Sequence, residues 1–116
     1  MVNNTSGKTA EFIALQYLRI KGYTLINYNY ITGRGTGAGE IDIIVKKQDT
    51  IVFVEVKKRK DITTAAYSIL PRQQERIRKA AEIFISRHPE YSKLNIRFDA
   101  ILVEFPLNIE HIENAF

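Results

Sequence analysis

Four acidic side chains and one lysine stand at spacings suited to chemistry on a phosphate. Glu40 and Asp42 lie two apart in Gly39-Glu40-Ile41-Asp42-Ile43-Ile44, and Glu55 and Lys57 lie two apart in Phe53-Val54-Glu55-Val56-Lys57. Residues two apart share one face of an extended strand. A turn at Gln48-Asp49 joins the two segments as a hairpin, and the register centred on it sets Asp42 opposite Glu55 and Glu40 opposite Lys57. Directly opposed residues carry Cβ atoms about 4.5–5.5 Å apart. Two carboxylates that close on an apolar hairpin repel each other and lose hydration. A hard divalent cation between them removes both penalties, and oxygen-only ligands suit Mg²⁺ or Mn²⁺. Lys57, one alternation beyond Glu55, is then placed to orient a water nucleophile or to neutralise phosphate charge. Metal, water and cation together are the parts that hydrolyse a phosphodiester.

Glu11, the fourth acid, joins by a separate argument. On a helical wheel it falls next to Ala14, between Leu15 and Leu18, on a side expected to be buried. A glutamate there needs a metal or a basic partner. Gln73 and Gln74 precede Ile77 by four and three residues, so one or both extend the inward stripe of their helix and bring an amide to the site. Pairing within the chain is the alternative for each acid: Asp42 and Glu55 with Lys57 and Arg97, Glu11 with Lys8, and Glu40 with Lys57. The two histidines read as surface residues, His88 at a helix end and His111 in an acidic tail.

The elements that must position these residues follow from local pattern. A helix capped by Thr5 or Ser6 is expected from about Lys8 to Lys21, with Gly22 ending it. Tyr23 to Tyr30 reads as a strand, followed by a flexible loop of Gly33, Gly35, Gly37 and Gly39 around Arg34. That loop lacks the G-x-x-x-x-G-K-[ST] phosphate pattern. The hairpin strands are Glu40 to Lys46 and Ile51 to Lys57. Strict alternation puts Glu40, Asp42 and Ile44 on one face and Ile41, Ile43 and Val45 on the other. In the second strand, Glu55 and Lys57 go with Ile51 and Phe53, opposite Val52, Val54 and Val56. Asp61 to Leu70 has no clear assignment. Pro71 suits the first position of a helix to about Arg87, where Ile77, Ala80, Ala81, Phe84 and Ile85 form one stripe. Asn95 to Glu104 is the last strong strand, ahead of a helical turn from Glu110 to Phe116. The order is αβββαβ, a small sheet with helices packed on it.

The chain has 116 residues and no cysteine, which excludes disulfide frameworks, zinc fingers and thiol nucleophiles. Residues 1–116 are read as one domain, with no apolar run long enough for a membrane span and no secretory signal, so a cytoplasmic location is expected. The net charge of +4 is uneven, since Glu104, Glu110 and Glu113 are the only charges after Val103. Cations cluster at Lys57, Lys58, Arg59 and Lys60 and again at Arg72, Arg76, Arg78 and Lys79. Clusters of this kind, with Arg34 in the glycine loop, suit the phosphates of a nucleic acid, the alternative being a solvated basic surface that aids solubility.

The two hairpin segments, Arg97-Phe98-Asp99-Ala100, Ala10-Glu11 and Asn29-Tyr30 together resemble the YraN family of small bacterial proteins, over Gly7 to Phe116. That family is similar in turn to nucleases of the PD-(D/E)XK, restriction-endonuclease-like superfamily, which includes archaeal Holliday junction resolvases. The resemblance implies an α/β fold with an αβββαβ core, its mixed central sheet flanked by helices. It makes Asp42 the motif aspartate, Glu55 and Lys57 the (D/E)XK pair and Glu11 the helix acid. These four would be catalytic, with the metal on Asp42, Glu55 and Glu11 and, more weakly, Glu40. Arg34, Lys58, Arg59, Arg72, Gln73, Gln74, Arg76 and Lys79 would contact DNA. The chain departs from the pattern at Ile31, where many relatives carry arginine, and at Arg72 or Gln73, where lysine is common. The function expected is a Mg²⁺- or Mn²⁺-dependent nuclease on DNA, branched or single-stranded forms included. The alternative is a DNA-processing accessory module that binds without turnover. A junction resolvase works as a two-fold dimer, so a homodimer belongs to the expectation.

Overall fold

The β-branched runs of the hairpin and the two apolar helix stripes settle into a three-layer arrangement. A computed structural model describes residues 2–33, 35–58, 69–106 and 108–116, with residues 2–6 described by their backbone. In chain order the elements are α1 (Val2–Ile20), β1 (Thr24–Ile31), β2 (Glu40–Lys47), β3 (Thr50–Lys58), α2 (Pro71–Arg87), a 3₁₀ turn (Pro89–Tyr91), β4 (Asn95–Glu104) and β5 (Asn108–Ile112). The strands form one five-stranded sheet in the order β1-β2-β3-β4-β5. Every pairing is antiparallel except β3 with β4, which run parallel because α2 carries the chain back between them. This is a mixed α/β fold with the αβββαβ order of a restriction-endonuclease-like core, extended by β5. Among the described residues, no helix is long and apolar enough to cross a membrane.

α1 covers one face of the sheet, burying Ala10, Ala14, Leu15 and Leu18 on Ile43, Val45, Val52, Val54, Ile101 and Val103. α2 covers the other, burying Ile77, Ala80, Ala81 and Phe84 on Tyr30, Ile41, Ile44, Ile51 and Phe53. Phe53 is fully buried with Phe98 stacked on it at 5.6 Å, so truncating it to alanine costs about 3–5 kcal/mol. Gly22 ends α1 in a left-handed turn (φ 96°), with its N–H donating to the Arg19 carbonyl and that of Tyr23 to Leu18.

Three expectations are corrected. α1 starts at Val2 and not near Lys8, because serine and threonine cost only tenths of a kcal/mol inside a helix and a potential cap need not act as one. The segment after Leu107 is the strand β5, not a helical turn: it pairs along β4, and Ile109 packs on the α1-side core. Ile41 does not share a face with Ile43 and Val45; it packs with Ile44 on the α2 side. The break in strict alternation is shared by both strands: Tyr28 and Tyr30, opposite Ile43 and Ile41, flank Asn29, which takes a left-handed conformation (φ 55°). A further register shift lies between Leu25 and Asn27.

Candidate active site

The hairpin register centred on Gln48-Asp49 holds from Lys47↔Thr50 to Ile43↔Val54, and there the β2–β3 ladder ends. The next rungs, expected to be Asp42 with Glu55 and Glu40 with Lys57, are not made. Instead β2 splays from β3, and the Val56 N–H donates to Asp42 Oδ2 at 2.8 Å. β3 itself continues to Lys58 on its parallel partner, which keeps Glu55 and Lys57 in rigid extended backbone. The opening between the two strands is the site.

Asp42 and Glu55 meet in this opening, carboxyl to carboxyl. Gln73 Nε2 donates to Glu55 Oε2 at 2.8 Å, and Lys57 Nζ lies 3.1 Å from the same oxygen. One oxygen of each acid is thus held by protein donors, Oδ2 of Asp42 by Val56 and Oε2 of Glu55 by Gln73 and Lys57. Burial, and then the charge of Asp42, push Glu55 up to about 7 against the pull of Lys57. Burial likewise raises Asp42, although the Val56 N–H and Lys57 oppose it. The pair therefore holds a proton that two separated carboxylates would release.

Glu11 reaches the cluster from α1. It is half-buried and touches Asp42 and Asn29, and burial followed by the Asp42 charge raises its pKa, with Lys8 in opposition. The acids form a chain of contacts from Glu11 to Asp42 to Glu55. Among the described residues, no three histidine, cysteine or acidic side chains converge as a ready cation cage. A cavity of about 740 Å³ opens over the pair. Its sheet wall is Gly39, Glu40, Asp42 and Glu55, and its α2 wall is Leu70, Pro71, Arg72, Gln73, Arg76 and Ile77. Gly39 is bound to that wall, its N–H donating to the Arg76 carbonyl at 3.2 Å.

Gln73 is the glutamine that faces the acids; Gln74 instead donates to the Ile69 carbonyl at 2.8 Å. Arg72 and Arg76 line the cavity, while Lys79 lies against Gly37 along the glycine loop. Lys58 sits over the Phe105 ring and is not among the residues that line the cavity. Arg78, expected on the phosphate-gripping face, packs over Phe98 and Phe116. Arg34, Arg59 and Lys60 lie outside the described residues.

Two residues beside the site carried no role in the sequence reading. Asn29 supplies the turn that delivers a contact to Glu11, and a non-glycine residue at positive φ is the signal that only backbone geometry reveals. Tyr28, its neighbour, has a raised pKa from burial and from the charges of Glu11 and Asp42. A second buried acid, Asp99, lies elsewhere in the sheet. Arg97 grips it with two bonds of 2.8 Å, His111 Nε2 is 2.7 Å away, and the Asn114 N–H donates to it. Burial alone would raise Asp99; His111 and Arg97 outweigh it and hold the pKa low. Arg97 is therefore not a partner of Asp42 or Glu55. His111 is not a surface residue either, since its other nitrogen bonds Tyr17 at 3.1 Å, and His88 is half-buried on Phe84.

The chain matches the model of a family described as "Uncharacterised protein family UPF0102" over residues 10–103, a span that contains Glu11, Asp42, Glu55, Lys57 and Gln73. It is 43% identical over 110 residues to UPF0102 protein amb4503 of Paramagnetospirillum magneticum, covering 95% of this chain and 85% of that one. It is 45% identical over 111 residues to a UPF0102 protein of Bradyrhizobium sp. strain BTAi1, covering 96% and 79%. Against UPF0102 protein RPA0323 of Rhodopseudomonas palustris the identity is 40% over 111 residues, covering 96% and 82%.

Proposed function

The chain belongs to the UPF0102 family, and we propose that it is a metal-dependent nuclease hydrolysing DNA phosphodiester bonds. The observation that carries this reading is the Asp42–Glu55 contact. Two buried carboxyls press together under a cavity whose opposite wall carries Arg72 and Arg76. Nature rarely leaves such a pair unless a cation or a proton is meant to occupy it.

The donor set fits Mg²⁺ or Mn²⁺. It is all oxygen, it is anionic once deprotonated, and protein donors fix one oxygen of each carboxylate, so that an ion would take the place of the proton the two acids share. Asp42 and Glu55 would hold the ion, with the Val56 carbonyl as a further oxygen. When bound, it supplies charge compensation for the phosphoryl group and lowers the pKa of water. Lys57 donates to the attacking water and offsets negative charge developing on it. Gln73 fixes the Glu55 rotamer, so that neither acid must reorganise during reaction. Glu11, half-buried beside Asp42, holds or moves a proton at that end of the site. Arg72 and Arg76 hold backbone phosphates against the α2 wall, with Lys79 extending the basic track.

The test is incubation with plasmid, single-stranded and four-way-junction DNA in Mg²⁺, Mn²⁺ or EDTA, alongside Asp42→Ala and Lys57→Ala. Cleavage that needs metal and disappears in both variants is the expected result. Binding without such cleavage selects the non-catalytic accessory module, and no binding even at low salt overturns both.

A further inference from the structure

The acids have unlike surroundings on their two sides. On the α2 side stand Arg72 and Arg76, which suit phosphates. On the α1 side, outside the cavity lining, Glu11 has Asn29 and Lys8 as polar neighbours and two aromatic residues close by. Phe12, next on the helix, is 58% exposed, and Tyr28 on the edge strand β1 is 36% exposed. Tyr28 pairs opposite Ile43, one residue from Asp42, and its hydroxyl feels the charges of both Glu11 and Asp42. The strand that carries it, Thr24–Ile31, has no charged residue. The left-handed turn at Asn29 sends the two flanking tyrosines to different places. Tyr30 is buried edge-on against Phe84 at 5.0 Å, whereas Tyr28 stays beside Glu11 with much of its surface in solvent.

An exposed ring at this point has a use that a continuous duplex does not engage. Paired bases are stacked inside the helix and present phosphates and groove edges. An unpaired base offers its π face, and aromatic side chains bind such faces regardless of sequence. Resting on the nuclease reading, we propose that Tyr28 is a base-stacking residue and that the substrate carries an unpaired nucleotide beside the scissile phosphate. Phosphates run along the Arg72–Arg76 wall, and the base at the cut turns toward β1. A single-stranded segment, a flap or a frayed end meets this requirement; continuous duplex does not.

The test uses the full chain in Ca²⁺ buffer, with a labelled 20-nucleotide single strand and the same sequence as a duplex, read by fluorescence anisotropy. Tyr28→Ala removes the ring, Tyr28→Leu keeps apolar bulk on the strand without it, and Tyr28→Phe restores it. Both ring-less variants are expected to weaken single-strand binding roughly 5- to 150-fold, the cost of one lost stack, and duplex binding less than about twofold. Tyr28→Phe should bind both within about twofold of the parent. A 2-aminopurine in the strand should be quenched by the parent and by Tyr28→Phe but not by Tyr28→Leu. Equal losses on single strand and duplex, or no loss on either, overturn the stacking role while leaving metal-dependent cleavage standing. Failure of the parent to bind any DNA overturns both.

Discussion

Replacing Glu55 by glutamine should make the metal-free protein more stable at alkaline pH, although it deletes a salt bridge. Glu55 ionises at about 7 in the fold against an ordinary 4.5. Its side chain is only 9% exposed, so solvent screening does little to shrink the effect. At about 1.4 kcal/mol per pH unit, that rise corresponds to roughly 3 kcal/mol of stability. The direction is fixed by which state binds the proton more tightly. Below 4.5 the carboxyl is neutral in both states and the full stability is present. As pH rises the unfolded chain releases its proton first, and stability declines until the folded group has ionised, above about 7. Glutamine resembles the protonated acid: its oxygen accepts from Gln73, and its NH₂ donates to Asp42 where the shared proton sat. It has nothing to release. Urea titrations in EDTA at fixed ionic strength, followed by circular dichroism at pH 5, 6, 7 and 8, read the difference. Glu55→Gln should gain about 2–3 kcal/mol on the parent between pH 5 and pH 8, most of it between 5 and 7. Parallel curves over that range would refute the reasoning, since they would mean that neither burial nor the Asp42 charge raises the Glu55 pKa. A parent that stays ahead at pH 8 would show that the Lys57 ion pair outweighs the repulsion.

Three further outcomes follow from the same geometry. Mn²⁺ at about 100 times its dissociation constant should stabilise the fold by about 2.7 kcal/mol, and at fixed concentration the melting shift should be larger at pH 8 than at pH 6, because the ion must displace a proton; a pH-independent shift counts against the pair as the site. Gln73→Leu should weaken Mn²⁺ binding by removing the donor to Glu55, while Gln74→Leu should cost only about 1 kcal/mol of stability through the Ile69 carbonyl and leave Mn²⁺ affinity unchanged. Asp99→Asn should cost about 3–5 kcal/mol in urea titration, because it removes the buried charge that Arg97 and His111 are set against, with Mn²⁺ affinity unchanged.

How much of this was legible in sequence depends on how local the cause is. α2 was legible to the residue, since Pro71, the i, i+3, i+4 stripe and Pro89 are all local signals. The hairpin register was legible too, because a two-residue turn fixes it until something intervenes. The interruption lies beside Asn29, and a left-handed asparagine leaves no mark in a pattern of apolar and polar residues. The parity flip at Ile41, and the splaying that lets Asp42 bond Val56, were therefore invisible. β5 was illegible for another reason. Asn-Ile-Glu-His-Ile is short and polar, and it becomes a strand because β4 offers an edge and Asp99 offers His111 a partner from twelve residues away. The choice between Gln73 and Gln74 turned on helix phase alone, which helical periodicity does not resolve for adjacent residues.

Asp99 is an internal control for the acidic pocket. It is fully buried in the same sheet, deeper than Glu55, and the fold answers that burial with Arg97, His111 and a backbone N–H until its pKa falls below the ordinary value. A carboxylate buried only for architecture is treated in this way: every cost of desolvation is met by a donor inside the protein. Glu55 has Gln73 and Lys57, yet it also has Asp42 pressed against it, and its pKa rises. The chain thus contains both solutions, and the difference lies in the second carboxyl and the open cavity above it. Selection for stability alone would favour glutamine or a second arginine at that point. On the proposed function, an acid pair kept short of positive charge opposite Arg72 and Arg76 would take a divalent cation on the acids and a phosphate chain along the arginines.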